Sequence, residues 1–248
     1  MSEKISKHVL AKQPYHIIAK PEDVAEKIVV VGDPGRVEKL MKLLDDAKIV
    51  NTNRGYLVAT GYYKGERVSI ACHGIGAPSA AIVFEELLML GAKLMIRLGT
   101  CGGLVKEVGL GSIVIPIGAI YMAGGTLGMY VGHNVCYPAV SDPEVVLKLE
   151  EKFKAYGFET WRGIVASSDA FHAEEEYSVL WSKYGAIAVE MECATLFVLS
   201  KLKKFKSGAA LMVIDNLATG EVISSKERAT LEEKAGKAVL DALVELKI

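Results

Sequence analysis

The chain has 248 residues, 51% of them hydrophobic, and its 29 Lys and Arg nearly balance 30 Asp and Glu, for a net charge of −1. That length can bury a sizeable core and is read as a single domain over residues 1–248. The near-neutral charge and dispersed Lys and Arg exclude a basic nucleic-acid stripe and a cationic membrane-surface helix, and a small neutral or anionic ligand fits better.

The opening stretch MSEKISKHVLAKQP lacks the apolar core of a signal peptide, and no apolar run is long enough to span a bilayer, so the expected location is cytoplasmic. In chain order, the apolar run at 28–31 predicts a strand. Asp33-Pro34 then opens a helix, with an N-cap carboxylate and proline at the first helical position. A strand at 68–72 precedes a helix through PSAAIVFEELLML to Gly91, and further strands are predicted at 94–98 and 113–117. For 110–140, rich in Gly and Tyr, antiparallel excursions are the alternative to a parallel pattern. Asp142-Pro143 repeats the helix-start signal, and strands follow at 163–166, 186–189 and 209–214. Ser224-x-x-Glu227 forms a capping box for a last helix running to about Leu246. Strands alternating with helices imply an α/β fold with a central mixed, mostly parallel β-sheet flanked by helices.

Cys72, Cys101, Cys136 and Cys193 contain no C-x-x-C pair, so neither a zinc knuckle nor a thioredoxin-type motif is signalled. Four Asn and a single Gln, Gln13, lean towards a thermophile, where an intracellular structural disulfide stays open.

Four apolar runs end in a charge beside glycine or another polar group: IVVVGDPGR, KLMIRLGTCGG, AIAVEMEC and ALMVIDN. In open α/β sheets ligands bind beyond the carboxyl ends of the strands, so these charges mark a candidate site. Arg36 sits in a first helical turn, where the dipole disfavours a cation unless an anion is present, and Gly32 and Gly35 allow close backbone approach. An arginine reaching into solvent is equally compatible. Arg97, inside LMIRL, needs a partner, because an unpaired buried charge costs several kcal/mol. An anion is favoured over a structural ion pair with a buried carboxylate such as Glu85 or Glu86 of the preceding helix. Gly99-Thr100-Cys101-Gly102-Gly103 adds a hydroxyl and flexible backbone suited to phosphate oxygens, whereas Cys101 has no general base beside it. Glu190 and Glu192 lie near a helix start, which explains Glu190 by itself. Glu192 is the better acceptor for a vicinal diol. Asp215 ends an apolar run, where burial raises its pKa and suits it to general-acid work, although a turn role is the plain alternative for Asp215-Asn216.

Together these segments resemble the trimeric/hexameric nucleoside phosphorylase family. The ordered set is His16, GDPGR at 32–36, NRGYLVATG at 53–61, HGIGAPS at 73–79, IRLGTCGG at 96–103, SSDAFHAEEE at 167–176, VEMEC at 189–193 and VIDN at 213–216. HGIGAPS and SSDAFHAEEE are most similar to the archaeal purine nucleoside and methylthioadenosine branch. The resemblance implies phosphorolysis of purine nucleosides, with inorganic phosphate as co-substrate and neither cofactor nor metal. Phosphate would be held by Gly32, Arg36, Arg97 and Thr100, with Arg54 reaching in from a neighbouring subunit of a homohexamer. His16 would also cross over, towards the ribose 5′ position, while Met191 and Glu192 would hold the ribose hydroxyls. Phe171 and Ile214 would border the base, and Asp215, assisted by Arg228, would protonate the purine N7. Ile214 departs from the serine frequent in bacterial purine enzymes.

Three rivals are weighed. A nucleosidase of the same fold would lack the full set of phosphate arginines. A uridine phosphorylase would carry a Gln-x-Arg pair where this chain reads AFHAEEEYS. A nucleoside- or dinucleotide-binding protein without catalysis would have little use for Asp215 as a proton donor, and HGIGAPS lacks the third glycine of a dinucleotide fingerprint.

Overall fold

The computed structural model describes residues 13–122 and 124–248. The segment read for a signal peptide lies largely outside them. Among the described residues the strands are β1 (Lys27–Val31), β2 (Asp45–Asn51), β3 (Val58–Tyr63), β4 (Glu66–Cys72), β5 (Leu94–Gly103), β6 (Ile113–Ile120), β7 (Thr160–Ser167), β8 (Ala186–Glu190), β9 (Lys206–Asn216) and β10 (Glu221–Val222). The helices are α1 (Pro34–Leu40), α2 (Ala77–Met89), α3 (Gly125–Val131), α4 (Pro143–Ala155), α5 (Glu174–Lys183), α6 (Cys193–Lys203) and α7 (Ser225–Glu245).

All seven apolar runs lie in strands, and β1 shows why such a run is apolar. In β1, Ile28 and Val30 face one core with Phe84 and Leu87 of α2 and Phe197 of α6. Val29 and Val31 face the other, with Leu40 of α1, Phe153 of α4 and Val239 of α7. A strand covered on both sides reads as a continuous apolar run. At α1, Asp33 accepts from the Gly35 amide at 2.9 Å, and Ser224 and Glu227 form the reciprocal capping box of α7. Asp142 differs from expectation. Its carboxylate does not cap α4 but accepts from Lys201 and from the Ser207 amide, each at 2.7 Å.

The sheet is mixed. β1–β4, β1–β5, β5–β9, β6–β7 and β7–β8 are parallel. β2–β3, β3–β4, β5–β8, β6–β9 and β9–β10 are antiparallel. Parallel pairing therefore dominates among the seven apolar strands and not in the sheet as a whole. The sheet is also not simply open: β5, β9, β6, β7 and β8 pair in a circuit that returns to β5. The 110–140 stretch supplies β6, antiparallel to β9 but parallel to β7, and α3.

This closure brings the site together. β1, β5 and β9 run parallel side by side, so Gly32, Arg97 and Asp215 sit at or towards one end of the sheet. β8 comes back antiparallel along the overshooting end of β5, with Val189 opposite Gly102, and so delivers Glu190 and Glu192 back towards Arg97. Between β5 and β9 the register slips after Cys101, which faces Val213, so that Gly102 faces Asp215 and Ile214 is the extra residue. Such a bulge re-aims the following side chain. A Cβ on Gly102 would lie 3.2 Å from Asp215 Oδ2, so the carboxylate rests against bare backbone.

Candidate active site

A cavity of about 440 Å³ opens at this junction. Gly32, Arg36, Arg97, Thr100, Phe171, Met191, Glu192, Ile214, Asp215 and Arg228 all line it, ten of the positions read from the sequence. His16 and Arg54 do not line it. The His16 Nδ1 lies 2.7 Å from Glu86 Oε1 of its own chain, and the His16 and Ile17 amides also donate to Glu86. Arg54 is exposed, in a short turn at positive φ.

Arg36 does not reach into solvent: it is 3% exposed. Its Nη1 donates to the Leu98 carbonyl at 3.2 Å and its Nη2 to Glu232 Oε1 at 2.9 Å, while Nε is buried without a partner. Glu232 is shared, since Lys39 Nζ approaches it at 2.7 Å and Arg228 Nε at 3.3 Å. Burial opposes its ionisation, but hydrogen bonds and charge from Lys39 and Arg36 hold its carboxyl at about 2. Three cations converge on this one carboxylate, and two of them, Arg36 and Arg228, line the cavity. The free amides expected at the start of α1 are partly consumed, because Asp33 caps Gly35 and the Arg36 amide bonds back to the Asp33 carbonyl at 3.0 Å. Guanidinium groups outnumber free helix amides there.

The structural ion pair ranked below an anion on sequence is present at Arg97, with carboxylates other than Glu85 or Glu86, because β8 returns two acids to it. Its Nη2 lies 3.2 Å from Glu190 Oε2 and 2.5 Å from Glu192 Oε2. Glu85 instead pairs with Lys203. Burial works against the Arg97 charge, and Glu192 and Glu190 more than offset it. The Arg97 Nη1 also meets Nε2 of the fully buried His73 at 3.4 Å. Burial and the Arg97 charge drive the His73 pKa well down, so a neutral ring packs beside the cation.

The two acids of VEMEC divide their duties. Glu190 Oε2 accepts from the amides of Glu192 and Cys193 at 2.8 and 2.9 Å, and Ser167 donates to Oε1. It organises the turn into α6 and anchors Arg97. Glu192, lining the cavity, accepts from the Gly76 amide at 2.7 Å. Burial pushes its carboxyl up, Arg97 pulls it down, and Glu190 adds to the rise. Each of its oxygens has one partner, which leaves acceptor capacity for hydroxyl groups.

At the other group of residues, Asp215 is half-buried and burial alone raises its pKa. Asn216 takes the turn role: its amide donates to the Val105 and Val108 carbonyls and its Oδ1 accepts from Ala218 and Thr219. Phe171 is 64% exposed, a large ring left uncovered on the cavity wall. Cys101 is buried, which pushes its thiol well up and makes it a poor nucleophile. All four cysteines are free thiols. Among the described residues no group of three or more His, Cys, Asp or Glu could hold a metal ion, and no helix is long and apolar enough to cross a membrane.

Two lining or supporting acids escaped the sequence reading. Glu232 was legible as the i,i+4 partner of Arg228 on α7. Glu174 stood inside SSDAFHAEEE without an assigned role.

Residues 26–245 match the model of the phosphorylase superfamily. A guanosine phosphorylase of Halorubrum lacusprofundi is 37% identical over 91% of this chain and 92% of its own. A uridine phosphorylase of Thermococcus kodakarensis is 35% identical over 94% and 91%. A DeoD-type purine nucleoside phosphorylase of Caldanaerobacter subterraneus is 37% identical over 86% and 92%. Among solved structures, a Toxoplasma gondii purine nucleoside phosphorylase in complex with immucillin-H superposes with a TM-score of 0.85 at 26% identity, covering 94% of this chain and 95% of that one. Sequence and fold agree, and the protein belongs to the phosphorylase superfamily.

Proposed function

We propose that this protein cleaves the N-glycosidic bond of purine nucleosides with inorganic phosphate, giving free base and ribose 1-phosphate. One observation carries the reading: a single cavity combines three arginines, one of which, Arg36, keeps a buried donor unpaired, with a half-buried carboxylic acid at Asp215. Phosphate suits the first and a leaving purine needs the second.

In the proposed reaction Asp215 gives its proton to the purine N7 as the C1′–N9 bond breaks and its electron pair passes to the base. A phosphate oxygen forms the new bond to C1′. The ribose between them carries oxocarbenium character, and phosphate held by Arg36, Arg97, Thr100 and the bare backbone at Gly32 places negative charge beneath it. Met191 and Glu192 hold the ribose hydroxyls, and Phe171 covers the base. Arg228 lies on Glu232, and burial is the influence that shifts the Asp215 pKa, upwards, which favours the protonated acid. No cofactor enters this scheme. Arg54 and His16, outside their own chain's cavity, are assigned to a neighbouring subunit's site in a homohexamer.

The relatives include a uridine phosphorylase, but the absent Gln-x-Arg pair and the acid at Asp215 favour a purine. The test is turnover of inosine, guanosine and adenosine with and without phosphate. Base and ribose 1-phosphate should form only with phosphate. Equal turnover in phosphate-free buffer would make the protein a nucleosidase, and exclusive turnover of uridine would refute the purine assignment.

A further inference from the structure

Glu232 is buried on α7, does not itself line the cavity, and has no part in the scheme above. A salt bridge joining α7 to α1 needs one cation, yet three converge here. Lys39 Nζ takes Oε2 at 2.7 Å, while Oε1 is shared by Arg36 Nη2 at 2.9 Å and Arg228 Nε at 3.3 Å. The two that share an oxygen are the two that line the cavity, one assigned to phosphate and the other to the acid.

Arg36 is held at two points. Its Nη1 donates to the Leu98 carbonyl of β5 and its Nη2 to Glu232, and two bonds on a planar group set its orientation. The carboxylate is itself well anchored, because α7 packs closely on α1: a Cβ on Gly236, one turn beyond Glu232, would collide with Leu40. Arg228 is only partly buried, so its ion pair with Glu232, more than packing, fixes where it lies.

That restraint bears on the acid. Glu174 of α5 and Cys101 of β5 face Asp215, and neither carries a positive charge. Arg97 is committed to Glu190 and Glu192 at the end of β8, and Arg36 is buried. Arg228 is the cavity cation with freedom to move once its partner is gone. Burial opposes ionisation of Glu232, but Lys39 and Arg36 hold its carboxyl at about 2, so this contact does not titrate near neutral pH.

Resting on the purine reading, we propose that Glu232 is a positioning residue for both halves of the reaction: through one shared oxygen it sets Arg36 for phosphate and tethers Arg228 clear of Asp215.

The experiment compares wild type, Arg228→Met, Glu232→Gln and the double variant in two readouts: kcat/KM for phosphate at saturating inosine, and the pH profile of kcat/KM for inosine at saturating phosphate. Arg228→Met leaves the buried Arg36 pair intact, and its alkaline limb should stay at the wild-type pH, because a tethered arginine bears little on Asp215. Glu232→Gln keeps the shape and removes the charge. Phosphate kcat/KM should fall about tenfold or more while KM for inosine holds. Its alkaline limb should move down by about one pH unit, because a released Arg228 favours the ionised form of Asp215. In the double variant the phosphate defect should remain and the limb return to the wild-type pH. Should Glu232→Gln fail to fold, Glu232→Asp keeps the charge but withdraws it by one methylene, and it should change both readouts in the same directions.

A salt bridge with a structural role alone would lower stability and move neither readout. An upward limb in Arg228→Met, or an unmoved limb in folded Glu232→Gln, would overturn the tether. Wild-type phosphate kcat/KM in folded Glu232→Gln or Glu232→Asp would overturn the setting of Arg36. Failure of every purine nucleoside to react with phosphate would overturn the underlying function as well, whereas normal phosphorolysis with unmoved readouts overturns the positioning role alone.

Discussion

Gly99→Ala tests whether Arg97 holds phosphate, without touching a charged group. Positions 97 and 99 lie on the same face of β5, and the guanidinium folds back over the glycine. A Cβ on Gly99 would sit 2.6 Å from Arg97 Cζ and Nη1 and 2.8 Å from Nη2. Unstrained carbon contacts are about 3.5–4.0 Å, so the guanidinium must retreat by roughly 1 Å. It cannot do so freely, being buried and tied to Glu190 and Glu192. Misplacing an orienting group by about 1 Å can cost on the order of a hundredfold in rate, and overpacking costs about 1–3 kcal/mol of stability. Initial rates at saturating guanosine and varied phosphate should show phosphate kcat/KM reduced by about that factor, in a variant that still melts cooperatively. Gly109→Ala is the control, because a Cβ there meets nothing within 4 Å. A folded Gly99→Ala protein with wild-type phosphate saturation would remove Arg97 from the phosphate site.

Asp215→Asn should lower purine cleavage by about a hundred- to ten-thousandfold, the range of general-acid assistance, with nucleoside binding retained; an unchanged rate excludes the acid role. Because the protonated acid acts, wild-type activity on the alkaline side should fall as pH rises through the raised Asp215 pKa, and Asp215→Asn should lack that limb. Arg54→Ala should abolish phosphate saturation although Arg54 is absent from its own cavity, and normal phosphate affinity would refute the shared site. Glu232 has a depressed folded pKa of about 2, so its contribution to stability is present above the unfolded value of 4.5 and is lost as pH falls towards 2. Denaturant melts between those limits should show Glu232→Gln losing less stability on acidification than wild type, and parallel losses would exclude the linkage.

Local signals were the legible part of this fold. Asp33-Pro34 and Ser224-x-x-Glu227 mark helix starts through bonds made within four residues. The apolar runs mark strands because both faces are covered. β2 escaped because DDAKIVN is an edge strand whose mostly exposed or half-buried residues need not be apolar. β5 extends five residues beyond its apolar run, through GTCGG, because β8 and β9 both pair with that end. Most of the candidate cavity was readable because its charges follow apolar strands. The identity of the Arg97 partners was not, since Glu190 lies 93 residues away and meets it only through β8's antiparallel return. Glu174 carries no pattern of its own: it is buried at the start of α5, a helix that packs against β8, which a single acid in an acidic run does not announce.

The circuit of β5, β9, β6, β7 and β8 has a mechanical corollary. A hoop of hydrogen-bonded strands has no loose seam, so none of the three strands bearing Arg97, Glu190 and Asp215 can slip without breaking a neighbour's ladder. The turn carrying Phe171 and the helix carrying Arg228 hang outside the hoop and are free of that constraint.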